Sequence, residues 1–423
     1  MVDAKQAPPR PAHSGPLAGR TPATGPLAGL VVLELAQIMA GPSCGALLAD
    51  LGADVIKVEK LPGGDDTRRY AEPQVNGESA AFMMMNRNKR GIALDLKTEG
   101  GQRVLRRLVE RADVLTENYR RGALDRLGLG HEALSAINPA LIYCSISGYG
   151  RTGPAADRGG FDLIAQGVSG LMSITGEPGG APVKVGSPVT DMNAGMLAAL
   201  GIVSAYVHRL KTGQGQFVDT SLLEAGIHQT AWQAAIFFAT GVSPGPGGSA
   251  HVLAAPYQAF PTRDGWINIG GANQSNWERI ARLVGLSELI ADARFADNSA
   301  RMAHRDELVA LMSAALRGRT TAEWLHAFDA AVIPAGPIRS IGEMTADPQT
   351  LAREMVVELE HPVAGRTQAL GVPVKFGRTP GNVRRPAPTY GQHTREVLRE
   401  HGFGDAEIDA LAAEGAVGLG SGR

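Results

Sequence analysis

The sequence predicts an α/β fold, with a large doubly wound domain followed by a smaller α+β domain. Residues 30–35 (LVVLEL) are typical of a buried strand, residues 43–51 of a helix, and residues 55–59 of a second strand. A strand, loop, helix and strand in this order indicate a parallel sheet. The chain has 423 residues, more than one simple core usually holds, so two domains are expected.

Turn residues and composition divide the chain into five segments. The start is rich in Pro, Ala and Gly, and residues 240–248 (TGVSPGPGG) are typical of a linker. Asp264-Gly265 predicts a hairpin turn before a strand at 266–270. The expected segments are a disordered leader at 1–26, the first part of the large domain at 27–225, a linker at 226–254, the small domain at 255–350, and a linker with a C-terminal return to the large domain at 351–423.

Composition limits the classes of partner and compartment. The formal net charge is −1, which favours neither a nucleic acid nor a membrane surface as a partner. The longest apolar runs are interrupted by Gly, Ser, His or Arg, so no membrane-spanning segment is predicted. The two cysteines, Cys44 and Cys144, predict no disulfide framework and fit a reducing cytoplasm.

The stretch 186–224 is the part of the chain around which a functional site is predicted. Asp191 precedes an apolar run, residues 192–210, that is typical of a buried helix with Thr190 or Asp191 as its N-cap. The basic and glycine-rich residues 211–215 supply the signals of a helix end. Asp191 either caps this helix or offers an ionised carboxylate to an electrophilic carbon. The spacing alone does not choose between these two roles.

Other candidate binding residues stand where strands are predicted to end. No G-x-G-x-x-G follows the first strand, so the dinucleotide fingerprint is absent. Ligands of open parallel sheets bind at the carboxyl ends of strands, which is where residues 38–40 and Lys60 stand. A basic cluster at residues 86–91 (NRNKRG) is either a surface for phosphate groups or a solvated turn.

Beyond these patterns, the chain resembles the family III CoA-transferases, the family of formyl-CoA transferase and carnitine CoA-transferase, from about residue 27 to its C-terminus. In that family a nucleophilic aspartate precedes a helix that ends in K-T-G-x-G-Q, and Asp191 and residues 211–216 match this pattern. Four further motifs occur in family order, at Asn88–Lys97, Glu117–Tyr119, Gly122–Arg126 and Ser145–Gly150. Each motif is weak alone, but their shared order makes the resemblance specific.

The resemblance implies a fold, substrates and roles for individual residues. It implies a Rossmann-like large domain and an interlocked homodimer, with a CoA thioester as substrate, no metal and no permanently bound cofactor. Asp191 would attack the acyl-CoA thioester, and a carboxylic acid would accept the CoA. The residues expected to contact CoA are Ile38, Met39, Ala40, Lys60, Leu94, Lys97, Asn118, Tyr119, Arg126 and Phe161. Lys60 stands where the family often has Arg, so it would act on a phosphate as a point charge.

Two neighbouring positions bear on the type of reaction. The related α-methylacyl-CoA racemases carry a proton-transferring His where this chain has Phe161, so racemase activity is disfavoured. Asp162 stands where transferases have a second acid and is a second-rank candidate for the site. The glycine loop of formyl-CoA transferase has no match, which makes formate and oxalate less expected than other acid pairs. A catalytically idle CoA-binding protein is the third alternative.

Overall fold

The chain divides into two compact units in a computed structural model that describes residues 24–70 and 73–420. The predicted leader therefore lies outside the described residues, except for positions 24–26. The first unit comprises the described residues up to Leu171, Lys184–Gly241, and the described residues from Gln349 onward. The second unit comprises Met172–Val183 and Val242–Pro348.

The elements of the described chain are as follows. The strands are β1 (Val31–Glu34), β2 (Asp54–Lys60), β3 (Gln74–Val75), β4 (Glu78–Ser79), β5 (Arg90–Leu94), β6 (Val114–Glu117), β7 (Ile142–Ser147), β8 (Phe217–Ser221), β9 (Tyr257–Pro261), β10 (Trp266–Gly270), β11 (Ala335–Pro337), β12 (Val356–His361), β13 (Gly365–Leu370) and β14 (Val417–Gly418). The helices are α1 (Ala40–Asp50), α2 (Ala80–Asn86), α3 (Glu99–Val109), α4 (His131–Ile137), α5 (Asp162–Val168), α6 (Val189–Thr212), α7 (Leu222–Gln229), α8 (Ala231–Thr240), α9 (Gln274–Leu283), α10 (Asn298–Ala303), α11 (Arg305–Leu316), α12 (Thr321–Ala330), α13 (Ile341–Ala346), α14 (Pro348–Ala352), α15 (Thr394–Glu400) and α16 (Asp405–Ala413).

The first unit is built on a seven-stranded sheet with the strand order β14-β5-β2-β1-β6-β7-β8. The strands from β5 to β8 in this order are parallel, and β14 pairs with β5 at the edge as an antiparallel strand. In register, Leu33 of β1 lies beside Ile56 of β2 and Leu115 of β6. The prediction of a mixed α/β fold with a large parallel sheet is confirmed.

Helices cover both faces of this sheet, which explains why its strands are apolar without strict alternation. Leu33 packs in one core with residues of α3, α15 and α16. Its neighbour Val32 points the other way, into a core shared with α1 and α6. Because both faces are filled, a ligand of this unit has access mainly to the strand ends and the loops that follow them.

Helix α6 carries Asp191 and begins earlier than the sequence predicts. Its N-cap is Pro188, which makes no side-chain hydrogen bond, so the predicted cap at Thr190 or Asp191 is wrong and both residues lie inside the first turn. The helix ends at Gly213 with φ 76°, the left-handed conformation that glycine adopts without strain. Although α6 has 24 residues, neither it nor another described helix is apolar enough to span a membrane.

The second unit contains an antiparallel sheet with the order β11-β10-β9. β9 and β10 pair on either side of the predicted hairpin turn, and Phe260, Trp277 and Phe328 are fully buried in its core. Within the predicted linker, residues 226–240 lie in α7 and α8 except for Thr230 between them, and residues 241–254 contain no helix or strand.

Candidate active site

Asp162, at the start of α5, fixes the first turn of α6. Its Oδ1 accepts hydrogen bonds from the backbone N–H of Thr190 at 2.9 Å and from the Thr190 hydroxyl at 2.7 Å. Its Oδ2 accepts a third bond from Nε2 of Gln166 at 2.7 Å. Asp162 thus replaces a local N-cap, because it satisfies a helix N–H that would otherwise lack a partner.

Asp191 follows Thr190 directly and has a different environment. Its side chain is half-buried, and its carboxylate makes no hydrogen bond or ion pair with another described residue. Burial, and secondarily the negative charge of Asp162, raises the pKa of Asp191 to about 7. A carboxylate without partners is poorly stabilised, and such a group is a better nucleophile than a solvated, ion-paired one.

The start of α1 lies against α6 one turn beyond Asp191. A Cβ atom at Gly195 would stand 1.9 Å from Oγ of Ser43 and 2.7 Å from the carbonyl oxygen of Ala40. Residues four apart share one face of a helix, so Asp191 and Gly195 face the same side of α6. The missing side chain at Gly195 therefore allows the N-terminus of α1 to approach the turn that carries Asp191.

The N-terminus of α1 has free hydrogen-bond donors. Its N-cap, Met39, makes no side-chain capping bond. Among the described residues, no hydrogen bond is accepted from the backbone N–H groups of Met39, Ala40 or Gly41. Unpaired N–H groups at a helix N-terminus, reinforced by the helix dipole, are suited to a developing negative charge.

The loop between β1 and α1 is held in an uncommon conformation. Ile38 has φ 70°, in the left-handed region that β-branched residues rarely adopt. Its N–H donates to both carboxylate oxygens of Asp65 at 3.2 Å. Asn118 accepts the N–H of Gln37 at 2.9 Å and donates to the carbonyl oxygen of Gln37 at 2.8 Å. Loops that follow β1 and β6 are thereby joined.

The structure brings some of the predicted CoA-contacting residues together and separates others. Ile38, Met39, Ala40 and Asn118 meet at the ends of β1 and β6. The remaining positions are as follows: Lys60 is exposed and ion-paired with Asp66, Lys97 and Arg126 are exposed, Tyr119 is half-buried, and Phe161 is 70% exposed beside Asp162. The side chain of Leu94 is 1% exposed within the core, and its carbonyl oxygen accepts the N–H of Leu61, so the expected contact of Leu94 with CoA is not supported.

The basic cluster at residues 86–91 forms neither a surface for phosphate groups nor a solvated turn. Arg87 pairs with Asp50 at 2.6 Å, Lys89 with Glu34 at 2.8 Å, and Arg90 with an acid on β2 at 2.7 Å. All three cations are at most 9% exposed. They are internal counter-ions and offer no phosphate surface, because long-range acids that local sequence cannot reveal neutralise them.

A separate cleft of about 240 Å³ opens beside the end of β6. Arg120, Arg121 and Arg151 line it together with Tyr143 and Phe217, and Asp191 does not.

In the described part of the chain, no group of three His, Cys, Asp or Glu side chains is placed to hold a metal ion.

Sequence reasoning missed three residues that shape the site: Gln166, Glu34 and Lys57. Gln166 lies between Asp162 and the segment before α6, since its Oε1 accepts the N–H of Val185 at 2.8 Å. Glu34 and Lys57 are fully buried charges within apolar strands. A charge inside a strand that is buried on both faces was the available signal, because such a charge requires an internal partner.

Comparison with known proteins agrees with the motifs. The model for CoA-transferase family III matches residues 27–394. A succinate–glutarate CoA-transferase from Agrobacterium fabrum is 42% identical over 381 residues, covering 89% of this chain and 95% of that protein. A succinyl-CoA:glutarate CoA-transferase from Mus musculus is 39% identical over 393 residues, covering 93% and 90%. A crystal structure of a CAIB/BAIF family protein from Brucella suis is 41% identical, with a TM-score of 0.80, and covers 89% of this chain and 100% of that one. The chain therefore belongs to CoA-transferase family III.

Proposed function

We propose that this chain transfers CoA from an acyl-CoA thioester to a carboxylic acid, with Asp191 as the nucleophile. The observation that carries the proposal is the half-buried, unpartnered carboxylate of Asp191 in the turn that faces the free N–H groups of α1. The N-capping alternative is unsupported, because Asp162 takes that role through its hydrogen bonds to Thr190.

The reaction proceeds by exchange of acyl groups on Asp191. Its carboxylate attacks the thioester carbonyl, the C–S bond breaks, and CoA thiolate leaves behind a mixed anhydride. The thiolate then attacks the aspartyl carbonyl, giving an aspartyl-CoA thioester and the free donor acid. The acceptor carboxylate attacks that thioester, and the thiolate finally attacks the acceptor acyl carbonyl, which restores Asp191. Each step is a simple acyl transfer with no net gain or loss of protons.

Each step develops negative charge on a carbonyl oxygen. We assign the N–H groups of Met39, Ala40 and Gly41 as its donors, since they have no other described partner and lie across Gly195 from the Asp191 turn. Preorganised donors of this kind stabilise a transition state without reorganisation during the reaction. Asp162 accepts three hydrogen bonds, so its proposed role is to orient α6 and to tune Asp191.

We place CoA at the strand ends of the large sheet. The parallel strands follow the order third, second, first, fourth, fifth, sixth, as in doubly wound, Rossmann-like domains, whose ligands bind where the order reverses. That reversal lies between β1 and β6, where Ile38, Met39, Ala40, Asn118 and Tyr119 follow the strands. The cations proposed for the charged parts of CoA are the exposed Lys60, Lys97 and Arg126. No permanently bound cofactor is part of the proposal.

The acids proposed for the first assays are dicarboxylic. Relatives at 42% and 39% identity are named for succinate or succinyl-CoA and glutarate. Succinyl-CoA as donor and glutarate as acceptor are therefore the first pair to test in this chain.

Incubation with succinyl-CoA alone, followed by hydroxylamine and mass spectrometry, should modify the peptide that contains Asp191. Proton exchange at the α carbon in deuterated water, without an acceptor acid, would instead favour a racemase.

The pH dependence of turnover follows from the environment of Asp191. Since the pKa of Asp191 is raised to about 7, kcat/KM for the donor should rise with pH until Asp191 is ionised, at about pH 7. Asp162→Asn removes a like charge, so this acidic limb should move to lower pH by about half a unit or more. Asp306→Asn, at a fully exposed acid of the second unit, is the control and should leave the profile unchanged. A shift to higher pH in the Asp162 variant would contradict this assignment.

We also propose that the chain forms a homodimer and works in the cytoplasm, where its two buried cysteines remain free. Met196, Leu200 and Leu210 are 48%, 63% and 64% exposed and lie along one stripe of α6. On α8, Phe238 is 82% exposed. Apolar surface of this extent is typical of an interface between subunits.

Substitution in this stripe tests the dimer. Leu200→Asp should shift the protein from dimer to monomer in analytical ultracentrifugation, because a charge would be buried in an apolar contact. Ile341→Asp introduces the same charge at a 77% exposed site on the second unit and should leave the dimer intact. An unchanged sedimentation coefficient for the Leu200 variant would refute this location of the interface.

A further inference from the structure

A buried network of charges lies beneath residues 36–42, the segment that joins β1 to the first turn of α1. Its members are Glu34, Lys57, Asp65 and Lys89, each no more than 2% exposed. Lys89 Nζ lies 2.9 Å from Oε1 and 2.8 Å from Oε2 of Glu34. Lys57 Nζ lies 3.2 Å from Oε1 of Glu34 and 2.8 Å from Oδ2 of Asp65. Two acids and two bases thus share one water-excluded site.

Stability alone is a weak explanation for such a network. Removing charges from water costs about as much free energy as the ion pairs return, and apolar side chains of similar volume often stabilise a fold equally well. Burial, with the nearby charge of Lys57, lowers the pKa of Lys89 to about 8 against the attraction of Glu34. Glu34, and to a smaller extent Asp65, therefore favour the charged form of Lys89.

The same side chains hold the backbone of segment 36–42 at three points. Lys57 Nζ donates to the carbonyl oxygen of Ala36 at 3.0 Å, and Lys89 Nζ donates to that of Pro42 at 2.8 Å. Asp65 accepts the N–H of Ile38, whose left-handed backbone is strained for a β-branched residue and persists only where its surroundings maintain it. The network therefore fixes both ends and the strained centre of the segment.

We propose that Glu34, Lys57, Asp65 and Lys89 are positioning residues for the transfer reaction, because they fix segment 36–42 so that its N–H groups face the acyl group on Asp191. The inference rests on the proposed function, in which those N–H groups receive the oxyanion. It assigns to Lys89 a role in positioning the loop, where the sequence had left open a phosphate surface or a solvated turn.

The decisive variant is Glu34→Gln combined with Lys89→Met. One acid and one base are removed together, so the remaining network keeps its charge balance and the fold is expected to hold. The tie to Pro42 is lost in this variant. We expect kcat at saturating donor and acceptor to fall by at least about tenfold, with KM changed less than about threefold, because the transition state depends on the N–H groups more than substrate binding does.

The matched control removes another buried pair, through Asp50→Asn combined with Arg87→Met. These residues form an ion pair at 2.6 Å at the opposite end of α1, and no hydrogen bond or ion pair joins their side chains to segment 36–42. Since one acid and one base are removed together, the net charge that acts on Lys89 is unchanged. Their loss should lower the melting temperature but leave kcat within about threefold. An equal fall of kcat in both double variants, or wild-type kcat in the Glu34 and Lys89 variant, would overturn the proposal.

Two measurements on the wild type keep the test valid if the double variant does not fold. Above about pH 8 Lys89 loses its proton, so wild-type kcat should decline there. The groups facing Lys89 are Glu34 on β1, Lys57 on β2, Asp65, and Cys44 and Asp50 on α1. Amide exchange at Gln37 and Ile38, whose N–H groups are hydrogen-bonded to Asn118 and Asp65, should accelerate over the same pH range after correction for the intrinsic rate. Unchanged protection of these amides from pH 7 to 10 would refute the positioning role, whatever the turnover. Absence of CoA transfer by the wild type would instead refute the proposed function.

Discussion

Replacing Asp191 by alanine should lower kcat for CoA transfer by about 10³-fold or more, because the acyl group loses its carrier. Among the described residues near the N-terminus of α1, no other carboxylate is both half-buried and without a partner. Asp162, at the start of α5, accepts three hydrogen bonds and is therefore not free to attack. Steady-state exchange between succinyl-CoA and glutarate measures the effect. Retention of more than about a tenth of wild-type kcat would exclude Asp191 as the carrier.

Asp191→Asn separates loss of chemistry from loss of folding. The pKa of Asp191 is raised to about 7 in the folded chain, above its value near 4 when unfolded. Its ionised form therefore costs folding free energy, so this cost is absent below pH 4 and grows as the pH rises to 7. Asparagine removes the cost. At pH 8 the variant should melt no lower than the wild type, yet it should be inactive and remain unmodified after succinyl-CoA and hydroxylamine.

The parallel sheet and the end of α6 were predictable because both depend on local pattern. Apolar strands between turn residues predicted β1, β2 and the helix between them, and the glycine at position 213 predicted the end of α6. The start of α6 was not predictable, since its cap comes from Asp162, which lies 28 positions before Thr190 in the sequence. A side chain brought in by another helix leaves no trace in the helix that it caps.

The basic cluster shows the same limit more sharply. Lys89 is 55 positions from Glu34 in sequence, and the sheet brings them together because β5 and β1 both flank β2. From sequence alone, a run of cations is equally compatible with a phosphate surface or a solvated turn. Only the fold reveals that acids on α1, β1 and β2 neutralise these cations, and that the ammonium group of Lys89 binds the carbonyl oxygen of Pro42 in the first turn of α1.

Gly195→Ala should be among the most destabilising single-methyl additions in α6. The new Cβ would stand 2.7 Å from the carbonyl oxygen of Ala40, a backbone atom that cannot rotate away, and 1.9 Å from Ser43 Oγ. Separating α1 from α6 to relieve these contacts should cost about 2–4 kcal/mol and lower the melting temperature by roughly 3–8 °C. Adding Ser43→Ala should recover only part of the loss, because the contact with Ala40 remains.

Gly201→Ala is the matched control on the same helix. There a Cβ would approach only the side chain of Val218, at 2.8 Å, and alanine favours a helix over glycine by about 1 kcal/mol. Its melting temperature should therefore remain within about 2 °C of the wild type. If both alanines had the same effect on the melting temperature, close approach of α1 would not be the reason for glycine at position 195.

The Gly195→Ala variant should also lose kcat at temperatures where it is fully folded. Asp191 lies one turn before Gly195, so a displaced α1 would hold its oxyanion donors too far from the acyl carbonyl.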